Sequence, residues 1–344
     1  MRARTLALAA SASLLAACAA VLGLDDITND PPPGADSGTD APIDSGNDVA
    51  VQDSGNDGNT VVDAGIPPPS CLGLDGGCGA DASTSCCATL EVTGGTFNRS
   101  NDAGAPATVS AFYLDKYEVT VGRFRKFFDA YPANKPGADA GARGNVAGSG
   151  WNPADDALLP ADKTAFTTAL GCGPDKTWTD TPGANETKPI NCVDFYVAFA
   201  FCVWDGGRLP TEAEWNYAAA GGDQQRTYAW VGTTFDTSHA YYSDAGGPTF
   251  VGSTSPAGDG RFGQNDLIGN VNEWVLDRQN PTYLVPCSDC SDLDGGTNRG
   301  RRGGGWRPFG ANPPEMFLNT YMRFNVVVPT DHREDIGIRC ARAK

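Results

Sequence analysis

The sequence predicts one domain of irregular, mostly loop-built structure with sparse helices. Three observations carry this. Gly and Pro are frequent, 43 and 24 residues of 344, and they interrupt the periodic runs. Only three segments join a helix-capping residue to apolar positions at helical spacing. The 11 cysteines are an odd number, and setting aside one with a separate role leaves an even set suited to disulfides.

The first elements belong to export. Met1-Arg-Ala-Arg4 is basic, and residues 5–17 are apolar but too short to span a bilayer as a helix. They end in Leu15-Ala16-Ala17 before Cys18, a bacterial lipobox. This predicts removal of residues 1–17 and lipid on Cys18, in place of ordinary secretory cleavage at a small residue. Several acyl chains anchor stably where one does not. The expected location is the bacterial cell envelope, at the outer membrane or periplasmic face, with the membrane as partner through the anchor. Residues 18–70 then read as a tether. Asp25 to Pro69 holds ten Asp, no Lys or Arg and no aromatic residue. Such a segment buries too little apolar area to offset its ordering entropy. Its Asp-Ser-Gly-Asn-Asp repeats lack the spacing and terminal Glu of an EF-hand, so they read as a solvated spacer.

Charge follows the same division. The chain carries −17, but from Arg99 on 29 acidic residues face 23 basic ones. The domain is only mildly acidic, and no basic cluster points to nucleic acid.

Cys71, Cys78, Cys86 and Cys87 form a knot over residues 71–88. Adjacent Cys86 and Cys87 each reach back to Cys71 or Cys78, and both pairings stay open. Cys287-Ser-Asp-Cys290 lacks a second CxxC or a nearby His, so it reads as a closed-loop disulfide and not as a zinc or redox site. His239 and His332 are the only histidines. They exclude a three-His metal centre, and no GxSxG elbow supports a serine triad. Both read as surface or satisfied core residues.

Residues 89–344 show no linker-like break and form the main domain. Thr120 caps a helix carrying Phe124, Phe127, Phe128 and Tyr131 on one face. Asp194 caps a helix over Phe195–Trp204, apolar all round and therefore buried, ended by Gly206-Gly207. Thr211-Glu212-Ala213-Glu214 is a capping box, and its helix runs to Ala220 before Gly221-Gly222. Ile336-Gly337-Ile338-Arg339-Cys340 alternates like a strand.

Five blocks then match a known family in order: Phe112-Tyr-Leu-Asp-Lys-Tyr-Glu-Val-Thr120, Gly207-Arg-Leu-Pro-Thr-Glu-Ala-Glu-Trp215, Gly269-Asn-Val-Asn-Glu-Trp274, Arg302-Gly-Gly-Gly-Trp306 and Ile336-Gly-Ile-Arg-Cys340. Together they resemble the formylglycine-generating enzyme, or sulfatase-modifying factor, family. The resemblance implies an irregular α+β fold of the C-type-lectin type with structural calcium. It also implies a copper-dependent oxidase that converts a sulfatase cysteine to formylglycine through two thiolates. By the family's pattern, calcium falls to Asp266, Gly269, Val271 and Glu273, a disulfide joins Cys202 to Cys340, and Cys172 is left to Cys192. A second family calcium site lies near Tyr241, where the ligands do not match.

The match fails at the chemistry. The cysteine positions after the Gly-rich block are Pro308 and Pro313, and soft Cu(I) needs sulfur ligands. The small serine of that block is Gly305, and the aromatic inside the GNVNEW turn is Asn272. Copper is therefore not expected. The reading is a non-catalytic binding or structural module, a pseudoenzyme. Its cleft would be lined by Asn272, Arg302, Gly305, Trp306, Arg307 and Phe309. In the alternative, the glycines serve backbone packing and Pro313 and Phe317 fill the groove. The expected ligand is a glycan, peptidoglycan or protein. Two competing readings keep an enzyme: the sulfatase oxidase with Cys287 and Cys290 holding copper, or another oxygen-dependent enzyme on this scaffold. Arg208, Glu214 and Trp215 read as framework, with Glu214→Gln expected to cost little because the capping hydrogen bond survives.

Overall fold

The computed structural model describes residues 67–344 except 75, 243–245, 295, 308–311 and 324–326. The export segment, Cys18, the tether to residue 66, Pro308 and Phe309 lie outside the described residues. Among those described, no helix is long and apolar enough to cross a membrane.

Among the described residues, four α-helices form where caps and apolar faces coincide. Helix α1 spans Val121–Ala130, with the Thr120 side chain accepting from the Arg123 N–H. Helix α2, Lys163–Ala169, is capped by Asp162; its single buried aromatic, Phe166, leaves no periodic signal. Helix α3 spans Phe195–Trp204 under the Asp194 cap, and α4 spans Glu212–Ala219 with both halves of the Thr211–Glu214 capping box in place. Helices α1, α2 and α3 meet through aromatic rings. Phe124 lies 5.7 Å from Phe201 and 5.8 Å from Phe166.

Among the described residues, eleven short strands make four small sheets. In the knot, β1 (Gly77–Cys78) pairs with β2 (Thr84–Ser85). Strands β3 (Thr89–Val92), β6 (Phe112–Asp115) and β11 (Ala341–Ala343) form the sheet that joins the two ends of the domain. Strand β5 (Pro106–Val109) lies between β4 (Gly95–Asn98) and β8 (Cys287–Ser288). The third three-stranded sheet orders β10 (Ile336–Gly337), β7 (Asn272–Arg278) and β9 (Arg299–Arg302), with Ile336 beside Asn272 and Glu273 opposite Arg302.

The terminal stretch is not one strand. Ile338–Cys340 leaves the ladder between β10 and β11 because Arg339 turns inward and is fully buried. Its guanidinium donates to Glu273, to the carbonyls of Asp115 and Lys116 and to that of Asn265. Ordinary strand alternation cannot supply so many acceptors to one inward arginine.

Five disulfides staple this loop-rich body. In the knot, Cys71 pairs with Cys87 and Cys78 with Cys86. Cys172 pairs with Cys192, Cys202 with Cys340 and Cys287 with Cys290. The knot is no separate appendage. Cys78 and Cys86 pack with Tyr117 and Val251, and Ser70 receives a hydrogen bond from Arg123 of α1.

Candidate functional site

The turn leading into β7 is tightly wound. Asp266 and Asn270 both adopt positive φ, 57° and 54°, and Gly269 has φ 91°. A Cβ on Gly269 would stand 2.6 Å from the Tyr241 carbonyl oxygen, so only glycine fits. The turn presents the Val271 N–H and the Asn270 amide to the carboxylate of Glu118, at 3.1 and 2.6 Å. Glu118 is fully buried. It sits in the first family-like block, but nothing in the sequence marks it as a partner of this turn.

Three buried carboxylates, Glu118, Asp266 and Glu273, share this region with one guanidinium, Arg339. Burial pushes Glu118 well above the usual carboxylate range, with Asp266 and Glu273 as neighbouring negative charges. Burial also raises Asp266 to about 6. An excess of buried negative charge fits a hard cation. The four expected calcium residues fit unevenly. Among the described residues, Asp266 accepts from the Gly252 N–H through Oδ2. Glu273 is already engaged: Arg339 donates to both its oxygens at 2.7–3.0 Å, and Trp215 Nε1 donates to Oε2 at 2.7 Å. Among the described residues, no three acidic, Cys or His side chains converge as a metal-holding group. Glu118 is engaged too, by the Val271 N–H and the Asn270 amide. A calcium ion here would therefore draw on Asp266 and backbone carbonyls such as those of Gly269 and Val271, and would take Glu118 only by displacing one of those donors, with Glu273 orienting Arg339.

The Gly-rich segment behaves unlike the expected cleft. Asn272, Arg302 and Trp306 are buried. Asn272 Nδ2 donates to the Asp335 carbonyl at 2.9 Å, and Trp306 Nε1 donates to the Glu334 carbonyl at 3.3 Å. The space beside Gly304 is filled by Leu318, whose Cδ2 would lie 2.1 Å from an added Cβ. Gly305 is also buried, beside the Asn272 amide. Of the expected lining, only Arg307 is exposed, and it pairs with Glu334. Phe309 lies outside the described residues. Aromatic and guanidinium groups next to three glycines pack inward, because the glycines let neighbouring chain come close.

Arg302 shows why. It is paired with Glu212, donates to the Met322 carbonyl at 2.9 Å, and reaches Tyr283 Oη at 3.0 Å. Arg99 and Arg323 lie over the Tyr283 ring at 4.3 and 4.2 Å. Glu212 is the acid that Arg302 and Arg323 share. Burial, with Arg323 and Arg99 nearby, pushes Arg302 well below its usual range. The framework residues are equally enclosed. Arg208 donates to both Glu214 oxygens at 2.6 and 2.7 Å, and Trp215 is fully buried.

Thiol chemistry has no donor here. Ten cysteines form five disulfides, and the eleventh is Cys18. Pro313 stands at one family thiol position and Pro308, outside the described residues, at the other. A thiolate-held copper ion does not fit this chain. Both histidines are occupied. His239 faces Asp236 at 2.8 Å, and His332 faces the Cys192 carbonyl at 2.9 Å.

Residues 77–344 match the family model described as sulfatase-modifying factor enzyme 1-like domain. The chain is 30% identical over 207 residues to formylglycine-generating enzyme of Mus musculus, covering 51% of this chain and 52% of that protein. It is 29% identical over 300 residues to the enzyme of the same name from Thermomonospora curvata, covering 73% and 92%. A shorter match, 34% over 130 residues, is to hercynine oxygenase of Mycobacterium tuberculosis, covering 35% of this chain and 30% of that protein. The chain spans about half the length of the mammalian relatives it matches. Among solved structures, PvdO from Pseudomonas aeruginosa superposes with TM-score 0.52 at 22% identity, covering 74% of this chain and 94% of the other. That likeness concerns the fold, the irregular C-type-lectin-like α+β arrangement that the sequence predicts.

Proposed function

Because the chain belongs to the sulfatase-modifying factor enzyme 1-like family, we propose that it keeps the family scaffold without the oxidase. It acts as a binding or structural module held at the cell envelope by lipid on Cys18. One observation carries the reading. Every cysteine from Cys71 onward is in a disulfide, including the Cys287–Cys290 pair that alone could have replaced the missing thiols. A soft copper ion requires sulfur ligands, and a disulfide supplies no thiolate. The enclosed Arg302, Trp306 and Asn272 support the same reading, because they pack the scaffold where the expected cleft would be. Calcium is proposed as structural, near Asp266 and Glu118. The ligand is proposed to be a glycan, peptidoglycan or protein at the envelope.

The test is copper-dependent oxygen consumption by the full chain, supplied with a Cys-containing sulfatase peptide. The expected result is no turnover above copper alone. Turnover that depends on the protein and peptide would overturn the proposal. Anchoring is tested separately: Cys18→Ser should move the protein from the membrane fraction to the soluble fraction.

A further inference from the structure

A cavity of about 150 Å³ is lined by none of the residues of the Gly-rich segment from Arg302 to Trp306. It lies between the 148–155 loop, the first turns of α3, the outer half of β7 and the start of β9. Its volume is near that of an engineered apolar cavity that accepts benzene, about 150 Å³. Trp151, Phe195 and Phe199 supply ring surface, and Arg278, Arg299 and Asp155 supply charge.

The two arginines are under-used. Arg299 lies 4.1 Å over the Phe195 ring and donates to the Leu276 carbonyl at 2.7 Å. Arg278 donates to the Gly296 carbonyl at 3.2 Å. Among the described residues, neither forms an ion pair, and neither does Asp155. A guanidinium has five N–H donors in a planar fork that matches a carboxylate. Most of those donors have no protein acceptor among the described residues. Burial lowers Arg299 to about 10, with Arg278 as the next cause, and burial raises Asp155 despite both arginines. Asp277 lies behind the wall, with its oxygens committed to the N–H groups of Glu212 and Asp292 at 2.7 Å each. The cavity therefore places two adjacent cations, one lining carboxylate and a floor of aromatic rings around a ring-sized space. A partly dehydrated cation without a partner is costly, and an entering anion recovers that cost.

We infer that this cavity binds a small ring-bearing carboxylate, its carboxyl group held by Arg278 and Arg299 and its ring against Trp151 and Phe199, with Phe195 supporting Arg299. The inference is independent of the oxidase question, because it uses none of the residues at the family's thiol positions. Aromatic acids and sugar acids share this chemistry, and the probes separate them. Calorimetric titration of the full chain uses benzoate and D-glucuronate, with benzyl alcohol and D-glucose as neutral counterparts. The expected result is a Kd below about 1 mM for at least one carboxylate, with its neutral counterpart at least about tenfold weaker. Arg278→Gln, at a partly exposed position, should weaken that carboxylate at least about tenfold while the melting temperature holds. Binding of benzoate alone assigns an aromatic acid, and binding of glucuronate alone assigns a sugar acid. The proposal fails if neither carboxylate reaches about 1 mM, if the neutral probe binds as well, or if Arg278→Gln leaves the affinity unchanged.

Discussion

Glu214 illustrates how one buried side chain can do two jobs. It returns a carboxylate oxygen to the Thr211 N–H at 2.9 Å, completing the capping box, and it holds Arg208 through both oxygens. Its side chain is 1% exposed and that of Arg208 is 6%. The capping box alone makes Glu214→Gln a mild change, because an amide can still cap. The ion pair reverses this expectation. A glutamine leaves Arg208 buried without its counter-charge, and removing one partner of a buried pair costs about 3–5 kcal/mol. Chemical denaturation should show a loss of at least about 2 kcal/mol with an unchanged m-value; a change within error would mean that the pair is replaceable. Asp277 makes a second case at this scale. Burial raises its carboxyl to about 7, while it accepts from two backbone N–H groups. The unfolded value is about 3.9. Between these values the folded state binds more protons than the unfolded one, so stability falls as pH rises from about 4 to 7. The increment is on the order of 4 kcal/mol. Denaturation midpoints across this range should slope downward in the native protein, and the slope should flatten in Asp277→Asn. Equal slopes would remove Asp277 as the source.

At the level of elements, the caps make α1, α3 and α4 legible in the sequence alone. Thr120, Asp194 and Thr211 each satisfy an orphan N–H locally, so their signal lies within four residues. The strands are not legible in that way. Several span two to four residues, too few for alternation to register. The same limit applies at the site. Gly269 and Val271 can be placed from their block, but Glu118 reaches this turn from about 150 residues earlier, and Arg302 finds Glu212 some 90 residues earlier. Nothing local records such partnerships. The turn from Asp266 to Glu273 yields a prediction that separates ligand from scaffold. If calcium binds beside Asp266 and Glu118, adding calcium raises the melting temperature and chelator lowers it, by mass action on the native state. Asp266→Asn and Glu118→Gln should shrink that calcium-dependent shift. Glu273→Gln should lower the melting temperature with or without calcium, since it strips Arg339 and Trp215 of their charged acceptor. A melting temperature indifferent to calcium and chelator would remove the ion.

On the scale of the whole molecule, small sheets and short helices leave few long-range ladders to hold the ends together. The covalent link between α3 and the final segment matters correspondingly. Cys202 and Cys340 are separated by 138 residues, and both are fully buried in the core shared by α1, α3 and β7. The bond fixes the final segment to α3, and strand β11, just beyond Cys340, pairs that segment with β6 near the start of the domain. In the chain-entropy account, a loop of this size contributes about 5 kcal/mol, whereas the three-residue separation of Cys287 and Cys290 gives about 2 kcal/mol. The two pairs can therefore be ranked against each other. Replacing Cys202 and Cys340 together with alanine should lower unfolding free energy by several kcal/mol more than replacing Cys287 and Cys290, when both variants are measured under oxidising conditions. Buried sulfur removed from the core adds a larger cavity cost to the first variant, because Cys202 and Cys340 are both fully enclosed while Cys287 is buried and Cys290 only partly so. Valine in place of alanine at Cys202 would refill part of that space and isolate the covalent contribution. Equal losses in the two double variants would mean that packing, and not the closed loop, holds the terminal segment in place.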